Sequence, residues 1–211
     1  MRWTFGADPL GQTLVAADLL RRVAGLILAA EGDHPAVDRL VTTLRRVEGE
    51  LAAAVPTDRR PRVGPRAGSD GRVYLDHSRD IGAYNPCFPE YEITVGGDRA
   101  WGSVTFPVAY EGPPGIVHGG FVGVLIDCVV QHHNCDLGVA GKTTSLAVRF
   151  RRPAPLLTPL GFEVVRRVDG RRLTSTAHLT GGDELLAEAE VVAVAGDPEN
   201  LPEVSARRVP S

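Results

Sequence analysis

His118, Gly119, Gly120 and Asp127 form the pattern HGGxxxxxxD inside GPPGIVHGGFVGVLIDCVVQ, residues 112–131. These are residue types that can do chemistry. A carboxylate among apolar side chains costs on the order of several kcal/mol unless it is paired, so Asp127 stands out. Gly119 and Gly120 allow close backbone approach, and their N–H groups lie at the positive end of the helix that follows. Such an end can hold a carbonyl oxygen as it becomes an oxyanion, with about 3 kcal/mol per donor as a typical magnitude.

Gly119 and Asp127 of one chain cannot serve the same reacting carbon. Eight residues of helix rise roughly 12 Å and turn the two positions about 80° apart, whereas catalytic groups meet one substrate atom at about 3 Å. Unless the helix breaks, a site using both is built from two protomers, Gly119 from one and Asp127 from the other.

The elements that hold these residues follow from periodicity. From about Gly119 to Asn134, Phe121, Val122, Val124, Leu125, Ile126, Val129 and Val130 cover every face, predicting a helix buried on all sides. Tyr91 to Val95 and Ala100 to Phe106 alternate around Gly96-Gly97-Asp98 as a hairpin. After the helix, Thr143 to Arg151, Gly161 to Val168, Arg171 to Thr180 and Glu184 to Ala195 read as four strands. Two strands, a long helix and four more strands give an α+β antiparallel sheet wrapped around a central helix. Val122, Leu125 and Phe106 either line a pocket there or belong to the core.

Ahead of this domain, Val15, Leu19, Val23, Leu26 and Ile27 recur at helical spacing, with Asp18, Arg21 and Arg22 breaking the run. Pro35 can open a second helix with an apolar stripe of Val37, Leu40, Leu44, Val47 and Leu51. The expected organisation is a helical hairpin extension at 1–55, a Pro/Gly/Arg-rich linker at 56–72, the main domain at 73–197 and a frayed tail at 198–211. The hairpin is read as packing on the main domain or on a partner subunit.

A net charge of -3 gives no general attraction to nucleic acid or to an anionic membrane. Lys142 is the only lysine, so the many arginines reflect composition rather than a binding stripe. Cys87, Cys128 and Cys135 form no CxxC pair and suggest neither a disulfide framework nor a zinc site. His132, His133 and Cys135 make a poor metal set; the two histidines are read as positive charge favouring the C-terminal end of the helix. The N-terminus lacks a basic-then-apolar signal and no apolar run is long enough to span a bilayer, so the expected compartment is the cytoplasm. There is no Walker sequence, dinucleotide-binding glycine motif or GxSxG elbow.

The HGG-to-acid segment, the following TTSLAVRFRRPAP and the strand order resemble the hotdog-fold acyl-CoA thioesterases, the group that includes phenylacetyl-CoA thioesterases and the thioesterase-superfamily-member proteins of animals. The resemblance covers roughly residues 85–195. It implies a hotdog fold and hydrolysis of acyl-CoA to free acid and coenzyme A, with no metal and no cofactor. It places Asp127 as general base or nucleophile, Gly119 as oxyanion donor and Thr143 as the hydroxyl that positions water. It also implies a homo-oligomer, a dimer or a dimer of dimers, with interfacial sites. A thioester suits so small a set, because its carbonyl is already electrophilic and thiolate leaves readily.

Secondary candidates are substrate contacts. The His118 ring is read first as an anchor of the turn into the helix, with Gly120 beside it. Alternation puts Thr143 and Ser145 on one strand face and Thr144 on the other. Arg151 and Arg152 are candidates for coenzyme A phosphates, although arginines near a strand end are commonly just solvated. Asn85-Pro86 starts a turn, and the resemblance puts Asn85 near the acyl end of the site. In hotdog hydratases such a pair is flanked by an acid and a histidine, where this chain has Ala83 and Phe88. The alternative from another class is a non-catalytic acyl-CoA or fatty-acyl binding module whose hairpin contacts a partner; a purely structural oligomerisation protein is a third.

Overall fold

A computed structural model describes residues 9–55, 79–138 and 141–196. The linker expected at 56–72 and the tail expected at 198–211 lie outside the described residues. Two helices come first, α1 (Gly11–Leu28) and α2 (Pro35–Ala54). The one-turn helix α3 (Ile81–Tyr84) precedes β1 (Tyr91–Gly96), β2 (Arg99–Thr105) and a 3-10 turn at Val108–Tyr110. Then follow α4 (Gly119–Cys135), β3 (Gly141–Phe150), β4 (Pro159–Asp169), β5 (Arg172–Gly181) and β6 (Glu184–Ala195).

All pairings are antiparallel, in one six-stranded sheet of order β1-β2-β4-β5-β6-β3. This is the expected α+β hotdog arrangement. α4 leaves from the β2 side and the chain returns as β3 at the opposite edge, so the helix must cross the sheet. Alternating residues of the strands, among them Ala100, Val104, Leu160, Phe162, Val164, Ala177, Leu179, Ala189 and Val191, are buried in one core with Val122, Leu125, Val129 and Val130 of α4. Full burial of each larger side chain contributes roughly 1.5–3 kcal/mol, which holds the helix on the sheet. Phe106 and Leu125 are wholly buried and belong to this core.

The sheet does not surround α4. Gly120 is exposed and Phe121, Val124 and Asp127 are only half-buried, so one stripe of the helix stays open. The expectation of burial on all sides fails because a single six-stranded sheet covers part of the helix circumference. The uncovered part carries the acid.

Burial disfavours a charged His133 at the end of α4. His133 is completely buried, its Nε2 meets the Gly97 carbonyl at 2.9 Å, and burial lowers its pKa. The positive charge at that end comes from Arg166, 5% exposed, whose guanidinium donates to the carbonyls of His133 and, at 2.9 Å, Gly97. Gly97 adopts φ 65° in the β1–β2 turn, a conformation open to glycine, and so aims its carbonyl inward to both partners. His132 Nδ1 instead meets the Asp80 N–H at 3.3 Å and the Tyr91 hydroxyl at 3.2 Å.

α1 packs on α3 and the 3-10 turn, but by a face the hydrophobic spacing does not indicate. Val15, Leu19, Leu26 and Ile27 are exposed, whereas Ala17 and Arg21 are buried. A small residue lets the helix approach closely, and Arg21, expected to interrupt the apolar run, is the residue that docks it. α2 starts with His34 Nδ1 accepting the Ala36 N–H and with Pro35 in its first turn; it buries no residue.

Candidate active site

The turn into α4 leaves one amide free and ties its neighbours. The His118 N–H donates to the Tyr110 carbonyl at 2.9 Å, and the His118 ring Nδ1 accepts the Gly120 N–H at 3.0 Å. The Phe121 N–H donates to the His118 carbonyl. The Gly119 N–H donates to none of the described residues, and it stands at the positive end of a continuous 17-residue helix. Of the two candidate glycine donors, Gly120 is thus already engaged by His118. A Cβ on Gly119 would lie 3.0 Å from the Phe150 ring, so a larger residue here would force that ring aside.

Beside Gly119 lies a cavity of about 430 Å³, lined among others by Val122, Phe150, Arg151, Arg152 and Leu186. Arg151 is paired with Glu188, and Arg152 Nε lies 2.6 Å from Glu184 Oε1. Arg151 and its charge hold the Glu188 carboxyl below the ordinary carboxylate range. Both arginines therefore reach the rim of the Gly119 cavity, each with a carboxylate partner. Asp127 does not line this cavity.

Asp127 sits two turns further along, on the open stripe. The Thr143 hydroxyl donates to Asp127 Oδ1 at 2.6 Å, and the Gln131 side-chain amide donates to the Thr143 oxygen at 2.6 Å. Gln131 is 8% exposed and was not singled out from the sequence; its i,i+4 spacing from Asp127 on one helix face was the available signal. No described residue donates to Asp127 Oδ2, so one carboxylate oxygen stays open for a proton. The next residue, Cys128, faces the core, and its own burial pushes its thiol up to about 12, with the Asp127 charge adding to that.

A β-bulge between Thr143 and Ser145 changes the strand phase expected above. Thr143 pairs with Ala193 but Ser145 pairs with Val192, leaving Thr144 as the extra residue, its hydroxyl donating to the Val192 carbonyl at 3.1 Å. Beyond the bulge Leu146, Val148 and Phe150 pair with Val191, Ala189 and Ala187, the inward residues of β6. Ser145 therefore points to the outer face with Ala147 and Arg149, not to the Asp127 side with Thr143. Strict alternation fails here because one residue is left out of the ladder.

Asn85 Oδ1 accepts the Cys87 N–H at 3.0 Å, so its side chain closes the turn ahead of β1. No group of three or more His, Cys, Asp or Glu able to hold a metal occurs among the described residues. No helix among them is long and apolar enough to cross a membrane.

No protein-family model matches the chain. It is similar to Acyl-coenzyme A thioesterase THEM4 of Mus musculus, 32% identical over 92 residues, 42% of this chain and 40% of that protein. The same protein of Bos taurus is 32% identical over 92 residues, 42% of this chain and 38% of its own length. The chain thus matches about two fifths of the length of these curated relatives. Its fold is similar to the crystal structure of a thioesterase superfamily protein, with a TM-score of 0.70 and 29% identity over 89% of this chain and 97% of that one. A share that large cannot be reached without the N-terminal helices.

Proposed function

We propose that the chain, whose fold is similar to that of a thioesterase superfamily protein, is a hotdog-fold thioesterase that hydrolyses acyl-CoA thioesters to free acid and coenzyme A. The observation that carries this reading is the hydrogen-bond relay from Gln131 through Thr143 to Asp127. It fixes one carboxylate oxygen and leaves the other facing the open stripe of α4. In the proposed reaction a water bound at Asp127 attacks the thioester carbon and gives its proton to the carboxylate. The carbonyl oxygen, now negative, accepts the Gly119 N–H of a partner subunit. Collapse of the tetrahedral adduct breaks the C–S bond, and the proton held by Asp127 returns to the departing thiolate. Asp127 could instead attack the carbon directly; the adduct would then be a mixed anhydride opened by water, with the same products.

Two features support a homo-oligomeric site. α4 runs unbroken from Gly119 to Cys135, which removes the one way in which a single chain could bring Gly119 and Asp127 together. Among the described residues β3 pairs with β6 alone, so its other ten-residue edge carries no described strand beside exposed Leu146 and Phe150. A free edge of that length is a template for another chain, and a second copy there would also cover the open stripe. Arg151 and Arg152 are the proposed contacts for coenzyme A phosphates, exchanging their glutamate partners for the ligand.

The test is free-thiol release from short, medium, long and aromatic acyl-CoAs. Asp127→Asn should lower kcat by roughly 10²–10⁴-fold, the usual contribution of a positioned acid or base. Equal rates in the two proteins would remove Asp127 from the mechanism. Calorimetric binding of acyl-CoA with no turnover anywhere in the panel would instead support the binding-module alternative.

A further inference from the structure

Arg21 is an unusual residue to bury on the inner face of a surface helix. It is 6% exposed, 69 residues from its nearest charge partner in sequence, and it reaches out of α1 into the main domain. Its Nη1 donates to Glu90 Oε2 at 3.0 Å and its Nη2 donates to the Gly82 carbonyl. Both acceptors flank the segment from α3 to β1. The same segment is tied from the other side by Tyr110, whose hydroxyl donates to the Phe88 carbonyl at 2.7 Å and lies 3.3 Å from that of Pro86. Burial raises the pKa of the Tyr110 hydroxyl, and the charge and hydrogen bond of Arg21 act against that rise. Arg21 and Tyr110 therefore clamp one loop together.

Tyr110 is also joined to the start of α4. Its carbonyl accepts the His118 N–H, and its ring meets Phe121 edge-on with centroids 4.7 Å apart. His118 in turn takes the Gly120 N–H. The chain neighbours of the free Gly119 amide, His118, Gly120 and Phe121, are thus held, directly or through His118, by Tyr110. Among the described residues no other side chain of α1 donates to the main domain, and the apolar stripe of α1 is exposed.

We propose that Arg21 is a positioning residue that, through Tyr110 and the loop they share, aims the Gly119 N–H at the substrate carbonyl. α1 is then part of the catalytic machinery's frame rather than an appendage. This rests on the reading of Gly119 as oxyanion donor. Loss of Arg21 would leave the Asp127 relay intact and loosen the donor. Because an oxyanion contact is stronger in the transition state than in the bound substrate, the loss falls on kcat rather than on KM.

Three variants of the full chain test it: Arg21→Ala, Arg21→Lys and Tyr110→Phe. Arg21→Ala should lower kcat roughly tenfold or more, with KM within about twofold. Arg21→Lys should recover part of the loss, because an ammonium can serve one of the two acceptors but lacks the fork. Tyr110→Phe, which keeps the ring against Phe121, should lower kcat in the same direction even if Arg21→Ala does not fold. Amide hydrogen exchange over residues 118–121 supplies a readout independent of turnover. It should quicken in Arg21→Ala, or in Arg21→Lys and Tyr110→Phe, relative to the original protein. An original protein inactive on every acyl-CoA would defeat the proposed function, while exchange would still report the coupling. Unchanged kcat together with unchanged exchange, or a loss confined to KM, would overturn the proposal.

Discussion

The start of α4 and its middle are finished in opposite ways. At the start, the backbone group of interest is left free and every neighbour is tied: His118 to Tyr110, Gly120 to His118, Phe121 to the ring of Tyr110. In the middle, the group of interest is itself tied, because Asp127 receives Thr143 and Thr143 receives Gln131. A backbone donor can be aimed only by fixing the chain on either side of it. A carboxylate on a rigid helix needs one oxygen held and one left open. The first end therefore depends on distant loops and, through them, on α1; the second depends on one strand and one helical turn. The two ends should respond differently to the same kind of insult.

The sharpest way to break this contrast is to separate the two ends onto different chains. Asp127→Asn and Gly119→Val, the latter forcing a side chain against Phe150, should each be nearly inactive alone. Co-expressed with different tags, they should recover roughly a quarter of the original activity, because about half of random dimers are mixed and each mixed dimer has one intact site. No recovery in isolated mixed dimers would mean that both ends belong to one chain's site after all.

Next in size is the relay at the middle of the helix. Thr143→Val removes a hydrogen bond to a charged group and should cost roughly tenfold to a hundredfold in kcat, with Thr143→Ser largely restoring it. Gln131→Leu removes only the bond behind it and should cost roughly threefold to tenfold. Kinetics of both variants on one acyl-CoA would show it; a larger effect for Gln131 than for Thr143 would contradict the order of the relay.

The smallest effect belongs to the far end of α4 and is read in stability. Burial keeps His133 neutral below its ordinary pKa of 6.5, whereas the unfolded chain takes up the proton. Stability is therefore complete above about pH 6.5 and falls as pH drops below it, by at most about 1.4 kcal/mol per pH unit for this one group. Tm measured between about pH 7.5 and pH 5.5 should fall in the original protein and fall less in His133→Gln. An equal fall in both would place the acid sensitivity elsewhere.

How far these features can be read from the residues differs from element to element. Strands of period two and the apolar α4 announce themselves, since burial on a sheet or helix imposes a repeat on many residues at once. The HGG turn and its acid are also legible, because few other arrangements put a carboxylate behind two glycines in an apolar run. α1 misleads: its apolar repeat faces away from the domain, and its docking residue is an arginine whose partners, Gly82 and Glu90, lie far along the chain. The same reason hides Arg166, which supplies the charge that the histidines suggested. Long-range polar contacts leave no periodic trace. Gln131 falls between these cases, legible once Asp127 is placed but unremarkable before that.

The bulge in β3 has a consequence for how this site can tolerate change in chain length. In a regular strand running back from Leu146, Thr144 would face the acid and Thr143 would face away; the extra residue shifts Thr143 into that place instead. Because the two neighbours are the same amino acid, a chain lacking one of them would present a threonine hydroxyl to Asp127 from an unbulged ladder. The site is thus buffered against a one-residue deletion at this point. A deletion between Leu146 and Phe150 would have no such duplicate to fall back on, and it would invert either the hydroxyl or the apolar residues that lie against α4.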